Sequence, residues 1–216
     1  MPAKGDGGGF SPRNLLGVIL AGGGSRRFGR DKALVPLAGR PMAAWVLAAL
    51  RQSTADQVII TPERVVAETL EIRGGPDRIP GAGPLGGLHA ALSWAREEGR
   101  GGVFLIACDL PLISGSLIRR IVASWPPAAV AAVPSSPGPL GFEPLCAAYA
   151  TEILETVEQL LQGGRRSMES VLEVLGVAPI PIERLGIPDD VAAAFLNVNT
   201  EELAGQAEAL ILGETR

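Results

Sequence analysis

The chain has 216 residues, 47% of them hydrophobic and 19% charged, with a net charge of −4 and a pI near 5.2. That balance describes one folded domain with a substantial core, not a disordered chain, and its acidity argues against a general nucleic-acid binder. A single histidine, His89, and two cysteines without C-x-x-C spacing, Cys108 and Cys146, argue against a histidine-rich metal site, a disulfide framework or a Ser-His-Asp triad, and fit a reducing cytoplasm.

Residues 1–14 are rich in Gly, Pro and polar side chains and read as a mobile tail without the apolar segment of a signal peptide. The remainder, 15–216, reads as one α/β domain with no repeat or linker, and no apolar run approaches the ~18 residues of a membrane span. Residues 15–21 form a continuous apolar run, as expected of a strand buried on both faces of a parallel sheet. The run breaks into Gly22, Gly23, Gly24 and Gly29, set among Ser25, Arg26, Arg27, Arg30, Asp31 and Lys32. Glycines let backbone amides converge on anionic oxygens, and the basic side chains add charge, so a strand feeding this loop is a recipe for a phosphate site.

Two other glycine-loop chemistries fit worse. The P-loop spacing runs from Gly24 to Gly29, but Arg30-Asp31 stand where Lys and Ser/Thr belong. The dinucleotide pattern begins at Gly22 and Gly24 but meets Arg27 in place of its last glycine, and no carboxylate ends the next strand.

Residues 34–41 read as a short connection turning at Gly39. Met42, Trp45, Val46, Ala49 and Leu50 then repeat at helical spacing. Residues 57–60 read as a second buried strand. Thr61-Pro62 looks like an N-cap and first helical position for a helix running to about Ile72. The glycine- and proline-rich stretch 74–87 is expected to be a loop, with helix from Leu88 to about Glu98, on which His89 is packed rather than catalytic. Residues 103–107 form a third strong strand ending in Cys108-Asp109-Leu110-Pro111. A carboxylate there faces the crevice where α/β sheets bind ligands, and a triphosphate brings Mg²⁺, which takes one or two carboxylates besides phosphate oxygens. Cys108 reads as a small buried residue.

A helix is expected over 114–124, strands over 128–133 and 143–149, and a surface loop over 134–141. An amphipathic helix around 153–161 is stopped by Gly163-Gly164. Arg165-Arg166 then could hold a second phosphate or simply begin a solvated helix over 168–175. After a short strand over 178–182, residues 195–200 carry Asn197 and Asn199 on one face of an extended segment. Their amides donate and accept at once, which suits a phosphate or a ligand edge carrying both donors and acceptors, though turn residues would look the same. Thr200 and the following acids open a terminal helix.

Leu20-Ala21-Gly22-Gly23, Ser25, Arg27, Gly29, Asp31 and Lys32 match L-A-G-G-x-S-x-R-x-G-x-D-K at every spaced position. Over residues 15 to 205 the chain resembles the molybdenum cofactor guanylyltransferases, within the larger group of Rossmann-like nucleotidyltransferases. The narrower resemblance rests on Asp77 followed by Gly83-Pro84-Leu85, on C-D-x-P at 108–111, on E-P-L-C-A-A-Y at 143–149 and above all on F-L-N-V-N-T at 195–200.

The resemblance implies a three-layer α/β sandwich around a mostly parallel sheet, and transfer of GMP from GTP to molybdopterin with Mg²⁺. It implies that Leu20 to Ser25, Arg27, Lys32, Asp77, Gly83, Pro84 and Leu85 hold the nucleotide. Arg27, Lys32 and Asp109 would be catalytic, Asp109 carrying the metal. Arg165, Arg166, Asn197 and Asn199 would touch the pterin. Transient contact with proteins of cofactor synthesis or insertion is implied too, and neither nucleic acid nor membrane. The chain departs from the family at Thr61, where guanine-binding members often place Asn; a hydroxyl lacks the amide's paired donor and acceptor. A cytidylyltransferase, a sugar-phosphate nucleotidyltransferase and a non-catalytic molybdopterin carrier are the competing readings.

Overall fold

The computed structural model describes residues 14–22, 31–186 and 191–213. Strand β1 (Leu15–Leu20) is buried at all six positions. A 3₁₀ turn at Lys32–Leu34 leads into a small antiparallel hairpin, β2 (Pro36–Leu37) and β3 (Arg40–Pro41), whose turn residues Ala38 and Gly39 both have positive φ. Helix α1 (Met42–Arg51), β4 (Asp56–Ile60), α2 (Arg64–Leu70), β5 (Arg73–Gly75), α3 (Gly83–Glu97) and β6 (Gly102–Ala107) follow. The second half comprises α4 (Gly115–Ala123), β7 (Ala131–Ala132), β8 (Cys146–Ala150), α5 (Leu154–Gln162), α6 (Met168–Leu175), α7 (Val191–Ala194) and α8 (Glu201–Leu212).

The central sheet has six strands in the order β5-β4-β1-β6-β8-β7. β8 runs antiparallel to both neighbours and the other pairs are parallel, so the expected mostly parallel sheet is what forms. Side chains of β1 alternate between two cores. Leu15 and Ile19 face α1, α2 and α4; Leu16, Val18 and Leu20 face α3, α5 and α6. Each Leu, Ile or Val so buried contributes roughly 1.5–3 kcal/mol. A third, smaller cluster packs α8 and Val198 onto the hairpin around Val35, Leu37 and Met42.

The glycine-rich stretch 74–87 departs from expectation. It supplies an edge strand, and α3 starts at Gly83, five residues earlier than the sequence reading places it. The glycines there serve close packing: a Cβ on Gly74 would lie 2.6 Å from Ile59, and one on Gly87 2.8 Å from Leu20. Pro84 falls in the first turn, where its missing N–H costs nothing. Thr61 is not the cap of α2 either. Glu63 holds the N-cap position, and the Thr61 hydroxyl instead accepts from the Glu63 amide at 3.1 Å. The strand expected over 128–133 shrinks to two residues, and that over 178–182 to one parallel bridge between Ile180 and Pro134. β8 starts three residues later than expected because Cys146 N–H closes a turn on Glu143 O.

Register sets the working edge of the sheet. Leu20 lies level with Ile60 on one side and Ala107 on the other, so β1, β4 and β6 end together. Backbone bonds carry the alignment one residue further, from Ala21 N–H to Ile60 O and from Cys108 N–H to Leu20 O, both 2.9 Å. Gly22, Thr61 and Asp109 therefore emerge along one crevice.

Candidate active site

Lys32 is presented by the 3₁₀ turn after the glycine loop. The Asp31 carboxylate caps that turn by accepting from Ala33 N–H at 2.8 Å, which fixes where the Lys32 side chain departs. Lys32 is 8% exposed, and its Nζ lies 2.6 Å from Asp109 Oδ2 and 2.5 Å from Asn199 Oδ1. Asn199 Nδ2 in turn donates to Asn197 Oδ1 at 2.5 Å. The backbone joins the same pieces: Val198 N–H donates to Asp109 O at 2.9 Å. Three segments far apart in the chain thus converge on one ammonium group. Asp109 Oδ1 is buried with no hydrogen-bond partner among the described residues. Such an orphan costs free energy unless something binds it. A carboxylate oxygen free beside a lysine and a glycine loop fits a divalent cation that draws its other ligands from phosphate, and no cluster of three or more acidic, Cys or His ligands stands among the described residues to form an all-protein cage.

Cys108, next to Asp109, is buried, and burial pushes its thiol far above the usual range, with the charge of Asp109 pushing the same way; it is no nucleophile at neutral pH. Cys146 is likewise a buried free thiol. His89, on α3, faces α5 with Nε2 3.4 Å from Glu158 Oε1.

Along the crevice, Asp77 follows β5, and burial pushes its carboxyl above the usual range. The Thr61 side chain is 3% exposed and engaged with the chain's own backbone. Leu20, Ala21 and Leu85 bury their side chains in the core, so only their backbone groups are left to a ligand; the Leu85 amide already donates to Arg166 O, at 3.4 Å. Gly83 and Pro84 are exposed, and so is Gly22. Gly23, Gly24, Ser25 and Arg27 lie outside the described residues. Arg166 Nη1 closes the C-terminus of α5 by donating to Leu161 O at 3.0 Å, while Arg165 is exposed; the pair adjoins the first turn of α3. One residue escaped the sequence reading: Glu143, whose carboxyl lies close enough to Asp109 to feel its charge. A lone acid ahead of Pro-Leu at a strand's start was its only signal.

A lysine and a carboxylate paired at the carboxyl edge of a mostly parallel sheet, with a glycine-rich stretch just before the lysine in sequence, are the arrangement of a nucleotidyltransferase, and the comparisons with known proteins show that class. Residues 17–177 match the MobA-like NTP transferase domain. The molybdenum cofactor guanylyltransferase of Desulfosudis oleivorans is 35% identical over 200 residues, covering 91% of this chain and 96% of that protein. A probable molybdenum cofactor guanylyltransferase of Thermococcus gammatolerans is 30% identical, covering 89% and 98%. The crystal structure of molybdopterin-guanine dinucleotide biosynthesis protein A from Archaeoglobus fulgidus superposes with a TM-score of 0.74 at 27% identity, covering 93% of this chain and 100% of that one. The chain belongs to the MobA-like NTP transferase family.

Proposed function

We propose that the protein transfers GMP from GTP to the terminal phosphate of molybdopterin, releasing pyrophosphate and forming the guanine dinucleotide cofactor. The observation that supports this reading is the Lys32–Asp109–Asn199 junction at the sheet edge, where the lysine that follows the glycine-rich stretch in sequence meets the strand-end carboxylate and the N-V-N segment. The acceptor oxygen is already anionic at neutral pH, so the reaction needs no general base. The acceptor O–Pα bond forms in line as the bond from Pα to the bridging oxygen breaks, and pyrophosphate leaves with the electron pair. Catalysis is then positioning and charge neutralisation.

The amides of Gly22 to Gly24 would hold the phosphates. Arg27 and Lys32 would neutralise charge gathering on the α-phosphate and the leaving group. Asp31 acts on Lys32 through the turn it caps. Asp109 would hold Mg²⁺ through Oδ1, and the ion, when bound, supplies charge to phosphate oxygens. Asp77, Gly83, Pro84 and Leu85 would line the base and ribose. Asn197 and Asn199 would meet the pterin, with Arg165 and Arg166 as further anion contacts. No helix among the described residues is long and apolar enough to cross a membrane. A cytoplasmic setting with two reduced thiols, and hand-over to cofactor-synthesis or insertion proteins, complete the reading.

Thr61 keeps a cytidylyltransferase for the same cofactor as the second reading: its hydroxyl, which accepts from the Glu63 amide, lacks the paired donor and acceptor of an amide side chain. A molybdopterin carrier would need neither the orphan Asp109 oxygen nor its lysine. Pyrophosphate release from GTP, CTP and UTP, each with molybdopterin and Mg²⁺, tests the reading: release with GTP supports it, release with CTP alone replaces guanylyl by cytidylyl transfer, and no release with any nucleotide rejects the enzyme.

A further inference from the structure

Among the described residues, Glu143 is a half-buried carboxylate at this edge that the proposed chemistry leaves idle. Its backbone is pinned twice, N–H to Pro134 O at 3.0 Å and C=O from Cys146 N–H at 3.2 Å. Among the described residues its side chain accepts from Leu145 N–H alone, at a long 3.3 Å, and forms no ion pair. Burial pushes the carboxyl up, the Leu145 amide draws it down, and the charge of Asp109 pushes it up again. A carboxylate with so few partners at a ligand-binding edge is a candidate to meet a ligand's donors.

Its position says which ligand. The glycine loop follows β1 and Asp77 follows β5, on one side of β6. Glu143 precedes β8, on the other side, so Asp109 stands between the nucleotide half and Glu143. Residues 134–143 form a hairpin in which Ser135 faces Phe142 across an antiparallel bridge. Opposed residues share a face and neighbours alternate, so Glu143 and Ser136 emerge on the same face. Opposite Ser136 is Gly141, bonded through Ser136 N–H to Gly141 O at 3.1 Å, which adds no side chain to that face. Ser136 Oγ is buried without a hydrogen-bond partner among the described residues. Glu143, held by one long hydrogen bond, and the unpartnered Ser136 hydroxyl thus lie on one face of the hairpin, on the acceptor side of Asp109.

We propose that Glu143, with Ser136 beside it, recognises the acceptor's ring: the carboxylate takes the adjacent ring N–H and exocyclic amino group of a 2-amino-4-oxo pterin, and the hydroxyl donates to the neighbouring carbonyl. A carboxylate matches two parallel N–H donors, and a glutamine of the same size does not. The inference rests on the proposed pterin acceptor and deepens it.

Fluorescence titration of wild type, Glu143→Gln and Ser136→Ala with molybdopterin, without nucleotide, tests it alongside turnover with GTP and Mg²⁺. Glu143→Gln is expected to weaken molybdopterin binding and raise its KM about 10- to 100-fold, to leave the KM for GTP unchanged, and to melt no lower than wild type. Ser136→Ala is expected to weaken binding by about 3- to 10-fold. Unchanged molybdopterin affinity in Glu143→Gln overturns the proposal, and so does a shift confined to GTP or to the Mg²⁺ requirement. Wild type that binds molybdopterin through Glu143 but releases no pyrophosphate sinks the transferase reading and keeps the inference. Turnover that survives the substitution unaltered does the reverse.

Discussion

Breaking the Lys32–Asp109 pair separates what it does for the fold from what it does for the reaction. The side chains retain 9% and 17% exposure at an N–O distance of 2.6 Å. A pair on open surface would contribute ~0–1 kcal/mol. Here, removing one partner strands the other largely out of water, for which the expected cost is about 3–5 kcal/mol. Asn199 still accepts from Lys32 after Asp109→Ala. With the residual exposure, that sets the expected loss near the lower end, about 3 kcal/mol, or a fall in Tm of roughly 6–12 °C for a chain of this size. The double variant Lys32→Met/Asp109→Leu removes both charges and keeps most of the volume, so it is expected to melt above either single variant. A thermal or urea double-mutant cycle reads the coupling, expected at about 2 kcal/mol or more. None of the three variants is expected to release pyrophosphate at more than a few per cent of the wild-type rate. Single variants that melt with wild type, or a double variant that regains turnover with stability, would refute the reasoning.

Two other expectations concern the same edge. Asp77 has its folded pKa raised by burial above the ordinary 3.8, so ionisation opposes folding. Its contribution is favourable below the ordinary value and is lost as pH rises through the raised one. Asp77→Asn should therefore raise Tm near about pH 7, the gain shrinking as pH falls toward about 4, while calorimetric GTP affinity declines. Gly22→Ala and Gly102→Ala should part company. A Cβ at Gly22 meets nothing nearer than Pro62 Cδ at 3.9 Å, whereas one at Gly102 would sit 2.4 Å from the Tyr149 carbonyl oxygen. Gly102→Ala should cost about 1–3 kcal/mol in urea; Gly22→Ala should fold normally and bind GTP more weakly.

Two central strands were legible: residues 15–20 and 102–107 are apolar runs because each is buried on both faces of the sheet. β8 is buried as fully, yet a turn over 143–146 moves its start. The cap at Thr200 announced its helix and accepts from the Leu203 amide three residues on; Ser114, which the sequence marked only as a helix start, accepts from Leu117 N–H in the same way. What the sequence hid had tertiary causes. The glycines at 86 and 87 look like loop residues until Ala82 and Leu20 are seen pressed against them. Thr61 looks like a cap because the side chain does satisfy a backbone amide, but two residues upstream of the helix cap. At the site, Lys32, Asp109 and Asn199 each follow a recognisable local pattern, yet their meeting is a property of register. Glu143 had only a weak local signal, an acid ahead of Pro-Leu, since its neighbourhood is built by the 134–143 hairpin leading into β8.

Mn²⁺ in place of Mg²⁺, bound with a non-hydrolysable GTP analogue and located by anomalous diffraction, tests the site most directly. The account predicts one manganese peak bonded to Asp109 Oδ1, with the triphosphate lying between Gly22 and Lys32. Manganese and nucleotide elsewhere on the molecule, with Asp109 Oδ1 left bare, would contradict it.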